Sequence, residues 1–437
     1  MQPYLSVVAV SRNDDHGGDP LRRTQIFIDS LAWQAQKYAL SVELILVDWN
    51  PPEDKPGLSE ALSFPVNEWF SARIVVVPYS LHEGFRHGDR QPLFQMIGKN
   101  VGIRRAEGEF ILATNIDILL DDSLFECISK KTLDGRYMYR ADRYDVLTTI
   151  PEENHDVQQA FCRNVQNHVR RNHRGSDYYC HLQERKPFDS KPLLSKTHEF
   201  PWAEFSGGDF PSVMLKPGAP LNLLNTNACG DFTLMHRDAW AVIRGYGEFE
   251  AYSFNIDSIG CTQAYLAGYN ELGFLPPLVC YHIEHAPASG FTPETEDLLF
   301  ARIRKNSLPI MEWEVINNVL IKKMEADPKM RLNSERWGLR DFILEESVCT
   351  ETGTYHVTAE FPAHYFKTLS ALHHRMELEV SYQDYFLLEI KQIVLAKCLI
   401  KHRVWKILLL GLPCFKALRK IYRFIKYTLL RRKRNGF

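Results

Sequence analysis

The chain has 437 residues, of which 45% are hydrophobic and 24% are charged, the composition of a globular protein with a large core. Its length allows two or three domains. The nine cysteines include no Cys-x-x-Cys pair, which argues against a zinc site or a disulfide framework. No stretch reaches the roughly 18 apolar residues of a membrane span, and residues 1–10 lack the basic start of a secretory signal. These features predict a cytoplasmic protein.

Apolar, β-rich runs alternate with amphipathic stretches over the first 120 residues. Helices are predicted near residues 23–37 and 93–105. Four runs are predicted strands, at residues 5–10, 43–47, 73–77 and 110–113. Strands that alternate with helices form a mostly parallel sheet with right-handed crossovers, so we predict an α/β, Rossmann-like fold. No Gly-x-Gly-x-x-Gly and no P-loop follows the first strand, which argues against a dinucleotide or kinase-type site.

The segment from Gly98 to Asp117 reads as a helix, a glycine turn, a buried strand and an acidic strand end. In open α/β sheets, ligands bind beyond the carboxyl ends of the strands. A carboxylate there, such as Asp117, can hold a divalent cation against the phosphates of a nucleotide. The alternative is an acidic turn that merely ends the strand.

This segment resembles a motif of the nucleotide-sugar glycosyltransferases of the GT-A fold, especially the family 2 type. There, a helix with Asn-x-Gly leads through Ala-x-Gly-Glu into a strand that ends in Asp-x-Asp. The first Asp of that motif is Asn115 here, which can hydrogen-bond a ribose hydroxyl but adds no charge. The resemblance implies a GT-A domain over residues 1–295, a nucleotide-binding half over residues 1–120, and Mn²⁺ or Mg²⁺ held by Asp117 with partners elsewhere.

The same resemblance implies that residues at the strand ends surround the base and ribose. Charge-assisted contacts to phosphate are strong, which makes Arg86, Arg90 and Lys99 candidates to meet the diphosphate, and ordinary solvated charges are the alternative. For Asp48, a cap of the turn at Asn50 is the alternative. The implied donor-binding residues are Ser11, Arg12, Asn13, Asp48, Lys99, Asn100 and Asn115.

Residues 223–295 resemble the acceptor half of the same superfamily, notably the galactosyltransferase-type C-terminal region. Asp257 lies ten residues before Ala267, as the catalytic Asp of that region does, although Ile256 replaces the preceding Glu. The resemblance implies that Asp257 is the catalytic base. An Asp at a helix start is also typical of a plain N-cap.

A predicted strand at residues 275–281 delivers His282 and His285 into a glycine-containing loop. In the resembling enzymes, a His after this strand completes the metal shell, and His285 is the preferred candidate. An imidazole beside a carboxylate suits Mn²⁺ better than Mg²⁺. A purely structural His is the alternative.

Residues 151–222 break the alternation and are predicted to be an insertion that builds an acceptor pocket or a lid. Aromatic and carboxylate side chains commonly grip sugar rings, which makes Trp202 and Glu204 candidate acceptor residues, together with Asp231 in the next segment. A flexible surface excursion is the alternative for this stretch.

Beyond the predicted domain, residues 296–400 are expected to form a mainly helical extension. Residues 401–437 hold twelve Lys and Arg and no acidic residue, so the rest of the chain, whose total is −2, carries −14. The apolar residues from Leu418 to Leu429 follow helical spacing. A basic amphipathic helix is typical of an interfacial membrane anchor, and the alternative is a helix packed on the protein itself. The acidic remainder argues against a nucleic-acid partner.

The sequence therefore predicts a glycosyltransferase on the cytoplasmic (inner) face of a membrane, attached peripherally. It would transfer a sugar from a nucleoside diphosphate-sugar to a glycan or lipid-linked acceptor, with inversion, in bacterial-type surface polysaccharide assembly. A sugar nucleotidyltransferase is one alternative. A non-catalytic glycan-binding or scaffold protein is the other, and Asn115 and Ile256 are its best support.

Overall fold

The structure is a computed structural model that describes residues 2–174, 176–179, 202–204, 210–285, 296–350 and 353–358. The chain divides into a unit of residues 1–371 and a second unit of residues 372–437. The second unit, which includes the predicted basic tail at 401–437, lies outside the described residues. Within the described part, no helix is both long and apolar enough to span a bilayer.

The described strands form a main sheet of 11 strands and a second sheet of five. The main sheet contains β1 (Leu5–Ser11), β2 (Val42–Trp49), β3 (Phe70–Val77), β4 (Phe110–Ala113), β6 (Tyr137–Arg140), β10 (Trp202–Glu204), β11 (Ser212–Leu215), β12 (Thr233–His236), β13 (Asn270–Phe274), β15 (Glu345–Thr350) and β16 (Gly353–Val357). The second sheet contains β5 (Ile118–Leu120), β7 (Asp142–Val146), β8 (His168–His173), β9 (Ser176–Tyr179) and β14 (Val279–Ile283).

Helices connect and cover these strands. In the part of the chain that is described, the α-helices are α1 (Pro20–Lys37), α2 (Leu58–Ala61), α3 (Tyr79–His82), α4 (Gln95–Arg105), α5 (Asp122–Ser129), α6 (His155–Arg163), α7 (Arg237–Ile243), α8 (Ile256–Leu266), α9 (Glu296–Lys305), α10 (Trp313–Val315) and α11 (Ile321–Ala326). A π-helical turn, Ile316–Leu320, joins the last two.

The first four strands lie in the order β3-β2-β1-β4 and are all parallel, as the alternation of strands and helices predicts. Successive side chains of β1 point to opposite faces of the sheet. Val7 shares the core on one face with α1, and Val8 contacts α4 on the other. A Cβ on Gly102 would lie 2.4 Å from Val8 Cγ1, so only glycine allows α4 to approach this closely. Burial on both faces explains why these strands read as apolar runs.

The direction in which strands are added to the main sheet reverses between β1 and β4. From β1 the chain adds β2 and then β3 on one side, whereas β4 is added on the other side of β1. Such a reversal is the topological switch point at which open α/β sheets bind ligands. The carboxyl ends of β1 and β4 lead to Ser11 and to Asn115, so the predicted nucleotide site lies at this edge.

As a whole, the main sheet is mixed: its first four strands are parallel to one another and β13 is parallel to β6, but the other pairs are antiparallel. β12 runs antiparallel to β4 and to β6, and β11 runs antiparallel to β13. After the intervening segment, β12 begins beside the end of β4, since Thr233 pairs with Ala113, and runs back along it. Hydrophobic pattern indicates strands but carries no information about their direction.

The described part of the predicted helical extension, 296–400, contains strands as well as helices. The helices α9 to α11 lie within residues 296–326, β15 then pairs antiparallel with β3, and β16 pairs with β15. Thus the main sheet continues past the predicted domain boundary at 295, while residues 359–400 lie outside the described residues. β15 begins with Glu345 and Glu346 and so lacks a clear apolar run.

The predicted insertion at 151–222 also contributes strands. β8 pairs with β7 in the second sheet, and β11 pairs with β13 in the main sheet. In β8, Arg170 and Asn172 take inward, buried positions where an apolar residue is usual. Polar inward positions hide the period of two on which strand prediction depends.

Candidate metal centre

The candidate metal centre is a cluster of Asp117, His282 and His285, which two adjacent strands bring together. Asp117 lies between β4 and β5, and β5 pairs antiparallel with β14, which carries His282. The backbone N–H of Ile283 donates to the carbonyl of Asp117 at 2.9 Å. This bond fixes the carboxylate beside the end of β14.

The three side chains present one ligand atom each, all within 4.8 Å of one another. Oδ2 of Asp117 lies 3.7 Å from Nε2 of His282 and 3.6 Å from Nε2 of His285. An ion about 2.1 Å from two such atoms would separate them by about 3.0–3.4 Å. The two distances from Asp117 exceed this separation by only a few tenths of an ångström, and the third pair lies within 4.8 Å, so a modest contraction would let the three residues hold one cation.

A second group of charges supports this cluster from beneath. Nδ1 of His282 lies 3.3 Å from Oδ1 of Asp145, which is in turn 2.8 Å from Nε of Arg143. Burial opposes ionisation of Asp145, but Arg143 and His282 together outweigh it, with a contribution from Arg170, and lower the pKa of this carboxyl to about 2. Burial and Arg143 disfavour a charged His282, yet Asp117 and Asp145 raise its pKa overall.

Asp231, which was predicted as an acceptor residue, is bonded to this group of charges. Its Oδ1 accepts from Nδ2 of Asn115, and its Oδ2 accepts from Arg143. Burial opposes ionisation of Asp231, but Arg143 lowers its pKa. Asn115 also accepts from Gln95 at 2.8 Å. The two residues predicted for acceptor and ribose thus tie the end of β4 to Arg143.

No protein-family model matches this sequence, and no curated protein shows significant similarity to it.

Arg23 is a site residue that the sequence interpretation missed. It lies in the first turns of α1, is 5% exposed, and holds its Nε 3.7 Å from Oδ2 of Asp117. Its Nη1 donates to the backbone carbonyl of Gly18. Burial lowers the pKa of Arg23, partly offset by Asp117. The available signal was its position on the helix that directly follows β1, at the edge where a phosphate would enter.

Asn100 and Lys99, which were predicted to bind the donor, are enclosed in the protein and bond to backbone groups of residues 246 and 230. Asn100 has no exposed surface; it accepts from the backbone N–H of Tyr246 and donates to the Tyr246 carbonyl. Lys99 is equally buried, and its Nζ donates to the carbonyl of Gly230 at 2.6 Å. Both residues lie on α4, and their positions on this helix direct the side chains toward residues 230 and 246. Residue type alone does not reveal this direction.

The charge on Lys99 makes stability depend on pH. Burial lowers the pKa of Lys99 from its ordinary 10.5 to about 8, although Asp231 and Asp257 favour the charged form. The unfolded chain therefore holds more protons between about pH 8 and 10.5, so this group adds stability as pH rises through that window. We expect the free energy of unfolding of the wild type, relative to that of Lys99→Met, to increase as the pH rises across this range. Denaturant unfolding at a series of pH values measures this difference. A constant difference would contradict the buried charge.

Residues predicted to surround the base do meet at one edge. Ser11 and Asp48 are direct partners in the β1–β2 register, and Nδ2 of Asn13 donates to the carbonyl of Pro56. Oδ2 of Asp48 accepts from the N–H of Leu58, so it caps α2 and not the turn at Asn50. Its Oδ1 is buried with no hydrogen-bond partner among the described residues, and burial raises the pKa of Asp48 to about 6.

Arg12 lies at the rim of this group. Its Nε is 3.5 Å from Oδ2 of Asp14, and its Nη1 is 3.5 Å from the carbonyl of Pro92. It also favours the ionised form of Asp48. The side chain is therefore close enough to the strand ends to meet an anionic ligand there.

Asp257 lies in the first turn of α8, after Asn255 in a left-handed conformation with φ 67°. Its Oδ2 accepts from the N–H of Gly230 at 2.8 Å, and its Oδ1 accepts from the N–H of Ser258 at 2.9 Å. A Cβ on Gly230 would lie 2.9 Å from Oδ2, so glycine is required for this contact. The N-cap position of α8 is Asn255, so Asp257 is not the plain N-cap that its position suggested; it clamps Gly230 to the first turn of the helix, and its side chain stays partly exposed.

The strand that carries Trp202 and Glu204 lies away from these groups. β10 is the edge strand of the main sheet, five strands from β4, which at about 4.8 Å per strand is roughly 24 Å. The backbone therefore does not bring the two predicted acceptor residues next to the strand end that leads to Asp117.

Proposed function

We propose that this protein is a metal-dependent glycosyltransferase of GT-A type that takes a sugar from a nucleoside diphosphate-sugar and transfers it to a glycan or lipid-linked acceptor. The observation that carries this proposal is the cluster of Asp117, His282 and His285 beside the switch point between β1 and β4. Cation-binding side chains and a nucleotide-binding sheet edge are the two parts that transfer from such a donor requires.

The ligand set favours Mn²⁺ among the ions predicted for such enzymes. Mg²⁺ prefers oxygen ligands and keeps most of its waters, whereas imidazole suits transition metals. Two imidazoles with one carboxylate also suit Fe²⁺, so Fe²⁺ belongs in the same metal panel. When bound, the cation would neutralise charge on the departing diphosphate.

Two cations of the chain itself would bind phosphate oxygens. Nε of Arg23 is buried and lacks an aligned hydrogen bond among the described residues, and it already faces the carboxylate of Asp117. Arg12 lies across the same edge, after β1. Guanidinium contacts to phosphate are charge-assisted and therefore strong. These two side chains would hold the diphosphate while the sugar is transferred.

The base of the donor would be read at Asp48. An unpartnered carboxylate oxygen accepts a hydrogen bond from an N–H donor, such as the N–H on the edge of uracil or guanine. Asp48 is 1% exposed, so residues 56–58, which contact it through Leu58 and Gly57, must move as the base enters. Adenine and cytosine present an unprotonated ring nitrogen at the corresponding position and would bind less well.

The experiment that tests the proposal is a screen of nucleoside diphosphate-sugars for metal-dependent turnover of the full chain. We expect hydrolysis or transfer from a uridine or guanosine donor with Mn²⁺, and loss of turnover with a chelator. Release of pyrophosphate from a nucleoside triphosphate and a sugar phosphate would identify a nucleotidyltransferase instead. Donor binding without any turnover, across the metal and acceptor panel, would identify a non-catalytic binding protein.

The basic segment 401–437 leads to a prediction about location. We expect a chain that ends near Lys401 to keep donor hydrolysis and to lose binding to anionic vesicles, because each basic residue near such a surface contributes on the order of 1 kcal/mol. Sedimentation with vesicles over a salt series measures this, since exposed charges are screened beyond about 10 Å at 0.1 M salt.

A full-length variant with glutamine at 431–434 is the matched control for this prediction. It removes four of the twelve basic residues, so it should lose a corresponding part of the salt-sensitive binding while any apolar insertion persists. If the shortened chain still sediments with vesicles, the membrane contact lies elsewhere. If shortening unfolds the protein, the segment belongs to the core and the membrane proposal fails.

A further inference from the structure

Asp145 and His282 lie directly opposite each other on neighbouring strands. β7 and β14 are parallel, and their register pairs Asp145 with His282. Arg143 is two residues before Asp145, so its side chain leaves the same face of β7. The same face of β7 therefore carries the cation Arg143 and then the anion Asp145, and Asp145 lies beside His282 of the metal cluster.

The contacts between these side chains are close and buried. Asp145 and His282 have side chains 3% and 13% exposed, with 3.3 Å between Oδ1 and Nδ1. Neither of these two atoms makes a hydrogen bond of ordinary geometry to a described residue, the contact between them included. Nη2 of Arg143 donates to Oδ2 of Asp145 at 3.1 Å, which orients the carboxylate. Nε2 on the other side of the same ring faces Asp117.

We propose that Asp145 is a positioning residue that keeps His282 protonated at Nδ1 and thereby directs the Nε2 lone pair at the metal ion. An imidazole nitrogen must be unprotonated to bind a metal, and which nitrogen this is depends on the hydrogen bond that the other makes. Carboxylates that support a metal-binding His in this way raise its basicity and fix its ring. This inference rests on the metal site proposed above.

Arg143 has a defined part in this arrangement. It lies between Asp145 and Asp231 and bonds to both carboxylates. Through Asp231 it is connected to Asn115, two residues before Asp117. The largely buried guanidinium of Arg143 therefore connects Asp145, which contacts His282, to the end of β4, after which Asp117 follows.

The test is the affinity for Mn²⁺ of Asp145→Asn, measured by the electron paramagnetic resonance signal of free Mn²⁺. Asparagine offers one acceptor oxygen for two donors, so Nδ1 loses its carboxylate partner. Loss of such a partner typically weakens metal binding roughly 10–100-fold, and we expect a decrease in this range. Asp145→Asn with wild-type affinity would overturn the inference.

Asp142→Asn is the matched control. Asp142 lies on the same strand, and its Oδ2 is 2.8 Å from Nδ1 of His173, so the variant breaks the same kind of pair outside the metal cluster. We expect it to bind Mn²⁺ with wild-type affinity. An equal loss in both variants would show that disturbance of β7 is the cause and would overturn the specific role of Asp145.

A second measurement keeps the inference testable if Asp145→Asn does not fold. In the wild type without metal, ¹⁵N chemical shifts of labelled histidine report the tautomer of each neutral ring, and His282→Gln identifies the signal. We expect His282 to be protonated at Nδ1 when neutral, and the opposite tautomer would overturn the inference. Failure of the wild type to bind any metal would refute the proposed function, whereas equal affinities of wild type and Asp145→Asn refute only this step.

Discussion

Asp117→Asn is expected to abolish metal-dependent transfer and to weaken Mn²⁺ binding more than loss of an outer partner would, which typically costs roughly 10–100-fold. The substitution removes the single negative charge that the cluster offers to a cation and changes side-chain volume very little. The fold should persist, because the backbone carbonyl of residue 117, and not its side chain, bonds to Ile283.

Arg23→Met is a sharp control for this prediction. The guanidinium lies as close to Oδ2 of Asp117 as the imidazole of His282 does, 3.7 Å in both cases. A cation next to the carboxylate competes with a metal ion, so its removal should leave Mn²⁺ affinity unchanged or higher while donor affinity falls. Calorimetric titration with Mn²⁺, and then with a nucleoside diphosphate, separates the two effects.

The two histidines are expected to matter about equally. His285 was preferred from the sequence, but the distances of His282 and His285 to Asp117 differ by 0.1 Å and give no reason to rank them. Substitution of either by Ala should weaken Mn²⁺ binding by a factor of the same order of magnitude.

Unchanged turnover of Asp117→Asn with saturating Mn²⁺ would exclude Asp117 as a ligand.

The parallel half of the sheet was the most predictable part of the molecule. β4 was predicted at residues 110–113 and is Phe110–Ala113, because a strand covered on both faces must be apolar throughout. β15 was missed for the converse reason: it is half-exposed and contains glutamates, and it is a strand because β3 has a free edge beside it. Tertiary context decided that element.

The residues of the candidate site also fall into a group that the sequence predicted and a group that it did not. Asp117, His282 and His285 were predicted because each follows a recognisable strand and resembles a known motif, and the structure brings the three together. Arg143 and Asp145 were missed, since they lie inside a strand and acquire their meaning only from the β7–β14 register. A single sequence carries no information about which strands pair.

Burial is the second quantity that residue type did not reveal. Lys99 was predicted to contact phosphate because charge-assisted contacts to phosphate are strong, but it is enclosed and bonds to the carbonyl of Gly230. The N–H of the same residue donates to Asp257. Lys99 and the predicted catalytic residue therefore both contact the backbone of Gly230, an arrangement that only the folded chain creates.

Asp257→Asn is expected to lower the transfer rate by roughly 10²–10⁴-fold, the range that a general base contributes. As a base, Asp257 would take the proton of the acceptor hydroxyl as that oxygen attacks the sugar. Donor affinity should stay close to that of the wild type, because the base acts in the transition state and not in donor binding. We therefore expect Asp257→Asn to show a strongly reduced transfer rate, while a calorimetric titration with the nucleotide gives the same affinity as for the wild type.

The competing role of Asp257 is mechanical, since its oxygens accept from the N–H groups of Gly230 and Ser258. Asp238, an exposed carboxylate in the first turn of α7, provides the comparison for a helix-start charge alone. We expect Asp238→Asn to leave turnover unchanged. If Asp257→Asn lowers thermal stability while turnover per folded molecule stays normal, then the carboxylate clamps residue 230 to α8 and the catalytic base must be another group. Loss of turnover without loss of stability would establish the reverse, because asparagine can still accept one of the two N–H bonds but cannot take up a proton.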